Sequence, residues 1–534
     1  MDDDYKTIPE RSVTIAIFSI FLVVLSPLVY SDSSFGQNSN QKNCPNTWQV
    51  GDLDNITTAD GTISASVERV SSNSAIFVED GQVVSSTTLN DIISTWESII
   101  FPTNTNYFGS APDVDLNCQI EIVILPIDGV GGDVGGFEQG LSSVREALFL
   151  DIDDLLDRNR ILSHELEHLI HNSKDQFEYI WIDEGAAEMA EFLSFGVGAD
   201  LESNVNSWTE NSSTSLRWWD GRVSDYGSSF LFLTYLSEKL GGAPSVRQLV
   251  ADTSTGGSGV ENLANNPGTG STPIGTSMSE IFANFSAAVT LDSPQGAFGF
   301  SEIELREDCS SGGFCKVSPA AQNSLWNDGW QSSGHTLEGW GLRTFKFTGG
   351  NGDPLSILVQ PDSFGFEGAI LTKESQSGTW TMQDLRVDSE DGKGTGLVHG
   401  FGNTTSEVWL MVWYNPLVDD CDFDFANCGV LSGSYPTGSF TVSASLVSSP
   451  AEVSVNYLES FDRDGDSLAD SVEMAVTVTS SAYFETLFLE FSANSNNTEF
   501  DSTEFTVSAS NSEPAIVSVW FTPQFTSEWS FTVR

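Results

Sequence analysis

The spacing of apolar residues changes character twice along this chain, and each change predicts a different kind of element. QIEIVILPI (119–127) and ALFLDI (147–152) are short apolar runs of strand length, with the glycine-rich turn GVGGDVGG between them. The period then lengthens. In DLLDRNRILSHELEHLIHN (154–172), Leu155, Leu156, Leu162, Leu166, Leu169 and Ile170 recur on one broad side of a helix. IDEGAAEMAEFL (182–193) is rich in helix formers, and SSFLFLTYLSEKLGG (228–242) is a third helix stopped by its glycine pair. A loop rich in Gly, Ser and Asn (253–274) precedes a fourth, SMSEIFANFSAAVTL. After about residue 300 short alternating runs take over: LRTFKFTG, LSILVQP, EVWLMVWYN and GSFTVSASLV. Bounded by Gly, Asn and Asp, they predict an all-β module of sandwich type.

The expected fold class is therefore multidomain. An α+β domain over 36–300 is followed by a β-sandwich domain over 301–450. An acidic linker (451–475) leads to a C-terminal β-rich module (476–534). No internal repeat is evident. At the N-terminus, Lys6 and Arg11 precede the apolar run Val13–Tyr30, which predicts a signal peptide ending near Ser31 or, alternatively, a membrane anchor. Either reading places the chain outside the cell, secreted or on the outer face of the membrane.

Composition narrows the functional classes. Asp and Glu number 75 against 21 Lys and Arg, a net charge of −54. Such a surface repels nucleic acid and anionic membranes, leaving the N-terminal segment as the one membrane contact. The six cysteines are Cys44, Cys118, Cys309, Cys315, Cys421 and Cys428. An even count in an exported chain predicts disulfides. Close spacing favours Cys309–Cys315 and Cys421–Cys428, leaving Cys44–Cys118, although other pairings are open. Sequons at Asn55, Asn211, Asn284, Asn403 and Asn496 offer glycan acceptors.

The chain has five histidines, and three of them fall within HELEHLIH (164–171). His164 and His168 stand at i and i+4, so on a helix both imidazoles leave one face and can hold one zinc ion. Glu165, beside the first, can reach a water on that metal. A catalytic zinc needs a third protein ligand and an open position. His171 lies two turns along from His164 and cannot easily converge on the same ion, so it reads as a polar residue at the helix end. Glu184, 16 residues after His168, is the better third ligand if a turn brings its helix back. Glu188 follows one turn later and can accept the ring N–H of a ligand histidine. His335 and His399, in the β module, read as incidental.

The pair HELEHLIH and WIDEGAAEMAEFL resembles the gluzincin metallopeptidases, most of all the hyicolysin-type secreted endopeptidases. There an HExxH helix is followed by a helix beginning W-hydrophobic-N-E-G; this chain has Asp183 in place of the Asn. The upstream strand ALFLDID and the downstream DYGSSFLFLTYL are similar as well, so the resemblance spans roughly residues 45–295. It implies a zincin-like α+β fold and zinc on His164, His168 and Glu184. It also implies Glu165 as general base, hydrolysis of a protein or peptide substrate, and a Tyr or His that stabilises the oxyanion. Tyr226 is the candidate for that last role.

A second metal motif is DRDGDSLADSVE. Asp462, Asp464, Asp466, Asp470 and Glu473 fall at positions 1, 3, 5, 9 and 12 of a calcium loop, with Gly at position 4 rather than 6. It predicts a structural calcium that stiffens a domain junction. Asp113 and Asp115 in PDVDLN are too few for the same expectation. The reading is an exported zinc-dependent endopeptidase with β-sandwich accessory modules. Its rival is a non-catalytic cell-surface or adhesion protein that retains the peptidase-like fold.

Overall fold

The computed structural model describes residue 44 and residues 47–58, 61–127, 145–294, 296–326, 329–416, 436–447, 451–461, 471–480, 485–495, 498–509, 514–521 and 529–533. The apolar run Val13–Tyr30, Cys421, Cys428, Asp462, Asp464, Asp466 and Asp470 lie outside the described residues.

The first element is a five-stranded sheet in sequential order: β1 (Leu53–Thr58), β2 (Gly61–Val70), β3 (Ser74–Glu79), β4 (Ile120–Leu125) and β5 (Ala147–Asp151). β1, β2 and β3 pair antiparallel, whereas β3, β4 and β5 run parallel. Parallel strands are expected to be covered on both faces and to read as unbroken apolar runs. IEIVIL and ALFLD meet that expectation, every residue being buried. One face, with Ile122, Ile124, Leu148 and Leu150, packs on the helices. The other, with Phe77, Val123, Leu125 and Phe149, closes a smaller core with Ile56 and Val67.

Nine α-helices are described: α1 (Ser86–Thr95), α2 (Phe101–Tyr107), α3 (Arg158–Asn172), α4 (Ile180–Phe195), α5 (Ala199–Glu210), α6 (Val223–Leu240), α7 (Ala243–Val250), α8 (Gly257–Asn265) and α9 (Met278–Leu291). The four helices expected from periodicity are α3, α4, α6 and α9. The stretch expected as loop at 253–274 contains α8, because Val260 and Leu263 find a buried position that outweighs its weak propensity. A π-helical turn, Trp96–Ile100, joins α1 to α2; Trp96 and Ile100 are fully buried, and Pro102 occupies the first turn of α2.

The β module is a sandwich of two five-stranded sheets. Leu342–Gly349, Phe366–Glu374 and Thr405–Tyr414 form the middle of one, Leu355–Pro361 and Thr437–Leu446 the middle of the other. Phe345, Phe347, Ile370 and Leu410 from the first sheet meet Ile357, Val359, Phe440 and Val442 from the second in one core. The helical region does not stop at this module's edge. Phe282 of α9 packs on Trp340 and Trp413 at ring distances of 5.5 and 6.0 Å, and both tryptophans belong to the helices' core. Arg222 ties the start of α6 to the sandwich through Glu338, at 2.8 and 2.9 Å.

The stretch read as a linker differs from expectation. Ala451–Phe461 and Ser471–Ser480 are paired antiparallel strands, and Glu473 lies opposite Glu459 inside that ladder. The alternation in AEVSVNY and MAVTV is the strand signal that the acidic residues between them obscured. Cys44–Cys118 and Cys309–Cys315 are disulfides, bonds that persist in oxidising compartments. Among the described residues no helix is long and apolar enough to cross a membrane.

Candidate metal centre

The site is built where α3 and α4 are pinned together. The Ser163 hydroxyl lies 3.0 Å from the Ala190 carbonyl and 2.8 Å from Ser194 Oγ, and Asn104 donates to it from α2 at 3.0 Å. Arg160 donates to the carbonyls of Phe195 and Gly196 at the end of α4. Leu162, Leu166, Leu169 and Ile170 face the apolar core, so the opposite side of α3 must carry the polar residues. On α4, Gly185 allows close approach to α6: a Cβ there would stand 2.9 Å from the Ser229 carbonyl oxygen and 3.0 Å from Leu233 Cδ2. That contact sets how deeply Glu184, its neighbour, is seated.

The three expected ligands converge. His164 Nε2 and His168 Nε2 lie 3.2 and 3.6 Å from Glu184 Oε2. Ligand atoms on one tetrahedral zinc, each at about 2.0–2.1 Å, stand roughly 3.3 Å apart. Glu184 Oε2 is buried and takes no aligned hydrogen bond, as befits a donor atom aimed with the two nitrogens at a common point. The donor set, two imidazoles and a carboxylate, therefore fits zinc. His164 and Glu184 keep 15% and 16% of their side-chain surface exposed, so a solute can reach the cluster.

The other ring nitrogens are held by carboxylates. His164 Nδ1 is 3.2 Å from Glu191 Oε1, and His168 Nδ1 is 3.0 Å from Asp183 Oδ2. Glu188, expected in this role, comes within 4.8 Å of a His164 nitrogen, but its side chain receives Asn204 Nδ2 at 3.5 Å. The expectation chose the wrong turn of α4: Glu191, seven residues after Glu184, reaches His164 more directly. Asp183 does more. Its Oδ1 lies 3.3 Å from His171 Nδ1, and Glu167 Oε1 is 3.3 Å from the same nitrogen. His171 stands in the last turn of α3, as expected, with the two carboxylates against it. It is fully buried beneath Asp183, with Glu167 beside it. Both acidic partners were visible in HELEHLIH and WIDEG, as a Glu at i−4 from His171 and an Asp just before Glu184.

These contacts set the proton balance. Burial alone would lower the pKa of His164 and His168, but Glu184 and Glu191 beside the first, and Asp183 and Glu184 beside the second, raise both well above the usual value. Burial would raise Glu184, and the two imidazoles outweigh it and hold the carboxyl far below its usual range. Glu165 is 5% exposed and burial pushes it up to about 7; its Oε2 takes no hydrogen bond. A carboxyl in that range suits a group that must both take and give a proton near neutral pH. Burial, with Glu191 adding to it, pushes Glu188 up to about 8.

Tyr226 stands in the first turn of α6, half-buried, its ring edge-on to Trp219 at a centroid distance of 4.7 Å. His335 meets Ser332 Oγ at 2.8 Å and packs on Phe345, and His399 is exposed; both lie in the sandwich. Of the residues expected to bind calcium, Glu473 alone is described.

No protein-family profile matches this chain, and no curated protein matches it. Among solved structures, the pre-peptidase C-terminal domain of a collagenase from Bacillus anthracis is 11% identical and covers 24% of this chain and 96% of its own, with a TM-score of 0.16. PliG, a periplasmic inhibitor of g-type lysozyme from Salmonella Typhimurium, is 13% identical over 24% of this chain and 99% of its own, with a TM-score of 0.15. Tripeptidyl peptidase 2 is 7% identical over 41% of this chain and 24% of its own, with a TM-score of 0.17. Likenesses this slight leave the function to be argued from the site itself.

Proposed function

We propose that the protein is an exported, zinc-dependent endopeptidase of zincin-like fold, with β-sandwich modules as accessories. The observation that carries this reading is the convergence of His164 Nε2, His168 Nε2 and Glu184 Oε2 within 4.8 Å of one another, beside the buried carboxyl of Glu165. His164, His168 and Glu184 would hold the zinc, which when bound supplies a Lewis acid for the scissile carbonyl and for a water. Glu165 takes the proton of the attacking water and returns it to the leaving amine, work for which a carboxyl poised at about 7 is suited. Glu191 accepts at His164 Nδ1, and the Asp183 carboxylate, 3.0 Å from His168 Nδ1, holds the second ring by charge. The Tyr226 hydroxyl is the proposed second stabiliser of the oxyanion. Asp462, Asp464, Asp466, Asp470 and Glu473 are proposed to hold a structural calcium.

The test pairs two measurements. Residues 32–534 and the Glu165→Gln variant are purified, their bound metal is quantified, and both are assayed on unfolded casein with calcium present. Both should hold one zinc, and only the parent should cut, the variant falling by about 10²–10⁴-fold. Zinc in both and cleavage by neither would reject a peptidase. No zinc in either would leave a polar cluster of structural use only, and the adhesion reading would replace this one.

A further inference from the structure

A second cluster of acids stands at the N-terminal ends of β4 and β5, apart from the helices that carry the histidines. The loop Asp113–Cys118 leads into β4, and Glu146 immediately precedes β5. Carboxylate oxygens of Asp113, Asp115 and Glu146 lie within 4.8 Å of one another. Like charges at this range repel, and burial makes the repulsion worse. Glu146 is only 2% exposed. One of its oxygens accepts from the Val114 amide, while Oε2 is buried and takes no hydrogen bond. A buried carboxylate oxygen with no donor, beside two further carboxylates, is relieved either by a proton or by a bound cation.

The surrounding loop is shaped to hold these groups still. Asp113 Oδ1 accepts the Cys118 amide at 3.0 Å; Asp115 accepts the amide and side-chain nitrogen of Asn117 at 3.0 and 2.6 Å. Leu116 and Cys118 both adopt positive φ (63° and 66°), an unfavourable region for side chains of this kind. The disulfide from Cys118 to Cys44 clamps the loop at its end. The neighbouring Arg145 forms ion pairs with Asp54 and, at 2.7 Å, with Glu121.

We propose that Asp113, Asp115 and Glu146 form a calcium site, distinct from the zinc cluster and from the acidic stretch 462–473. The donors are all oxygen, which selects a hard cation. Oxygens sharing a calcium at about 2.3–2.6 Å lie at most roughly 5 Å apart, so the observed spread fits. An irregular loop plus a strand end suits the flexible coordination of calcium better than the strict octahedron of magnesium. Bound calcium would tie the entry of β4 to the entry of β5 and brace the sheet from which α3 departs.

The experiment is calcium binding by titration calorimetry on the zinc-loaded protein, residues 32–534, pre-treated with a calcium-selective chelator. Parent, Glu146→Gln, Asp115→Asn and Asp464→Asn are compared. Glu146→Gln and Asp115→Asn should each lose, or weaken at least tenfold, one calcium equivalent that Asp464→Asn retains. Zinc content should be unchanged in all four. At calcium a hundredfold above its Kd, the folded-to-unfolded ratio of the parent should rise about a hundredfold through this site, and that of Glu146→Gln should not. If Glu146→Gln fails to fold, Asp115→Asn, at a half-exposed position, carries the test. A parent that binds no calcium, or variants whose binding matches the parent's within less than tenfold, would overturn the proposal.

Discussion

Two clusters of buried acid lie in the N-terminal half of this chain, and they balance their charge in opposite ways. Between α3 and α4, Glu165, Glu167, Asp183, Glu184, Glu188 and Glu191 share their space with three imidazoles. Nearly every acid there has a base within reach. At the entry to β4 and β5, Asp113, Asp115 and Glu146 stand together with one buried oxygen unsatisfied. The first cluster is close to self-neutralised and offers nitrogen as well as oxygen; the second offers oxygen only and repels itself. The difference teaches that the same residue type, withdrawn at least in part from water, points to different ions according to what is placed opposite it. It also makes the two sites separable by experiment.

The largest effect should come from the covalent clamp on the second cluster. Cys44 and Cys118 are 74 residues apart in sequence. By loop entropy, removing that bond with Cys44→Ala plus Cys118→Ala destabilises by about 4 kcal/mol, against about 2 kcal/mol for Cys309 and Cys315, six residues apart. Urea titration of each double variant measures the two values. If the clusters are independent, the Cys44/Cys118 variant, held folded at low denaturant, should weaken in calcium binding while still holding one zinc.

Next is the third ligand of the first cluster. Structural zinc sites with four ligands are worth about 10–16 kcal/mol, so removing one ligand costs on the order of 3 kcal/mol. Glu184→Ala should lower zinc affinity by about two orders of magnitude in a competition with a coloured chelator. Its calcium binding should match the parent's. A variant that lost both metals would show that the clusters communicate.

How much of this was legible before folding follows from the same contrast. His164, His168 and Glu165 were readable because a helix converts a spacing of four into a shared face, with no knowledge of tertiary structure. Glu184 was readable because its helix follows directly and its neighbours mark it. Glu188 was expected at a ligand histidine and Glu191 was not considered, because the pattern fixes which face of α4 points inward but not which turn lies level with His164. Asp183 was noticed as a departure from a family pattern and not as a carboxylate facing His168. The Asp113, Asp115 and Glu146 cluster was out of reach. Asp113 and Asp115 are visible as a pair, but Glu146 lies beyond them and meets them only once β4 and β5 align in parallel. The strands expected from alternation were found, and α8 was missed because its apolar residues are sparse and its packing decides.

A smaller effect tests the packing that seats Glu184. Gly185→Ala places a methyl group 2.9 Å from the Ser229 carbonyl and 3.0 Å from Leu233, both on the interior α6 helix. Overpacking of this kind costs about 1–3 kcal/mol. Thermal unfolding should show the loss, and zinc affinity should fall with it because α4 is pushed off α6. The acidic corner, on another element, should keep its calcium affinity. Equal losses at both sites would mean that the variant loosens the whole domain and that the clusters are not separable.

The last effect is read as a slope, and it comes from the one histidine of the three that is not offered to the metal. Burial alone would lower His171, but Glu167, Asp183 and Glu178 raise it to about 9, from an ordinary value of 6.5. Its proton is therefore held in the folded chain after the unfolded chain has released it. The stability this confers is fully present below pH 6.5 and is lost as pH rises through 9, by at most about 1.4 kcal/mol per pH unit for one proton. In protein stripped of zinc by a chelator that spares calcium, His171→Asn should unfold in urea with a shallower decline between these limits than the parent. The difference should approach one proton's share and vanish below pH 6, where His171 is charged in both states. An identical decline in parent and variant would mean that His171 is neutral in the folded protein, with Glu167 holding the proton. Asp183 would then be oriented by a neutral hydrogen bond, and the self-neutralised character assigned to the helical cluster would rest on His164 and His168 alone.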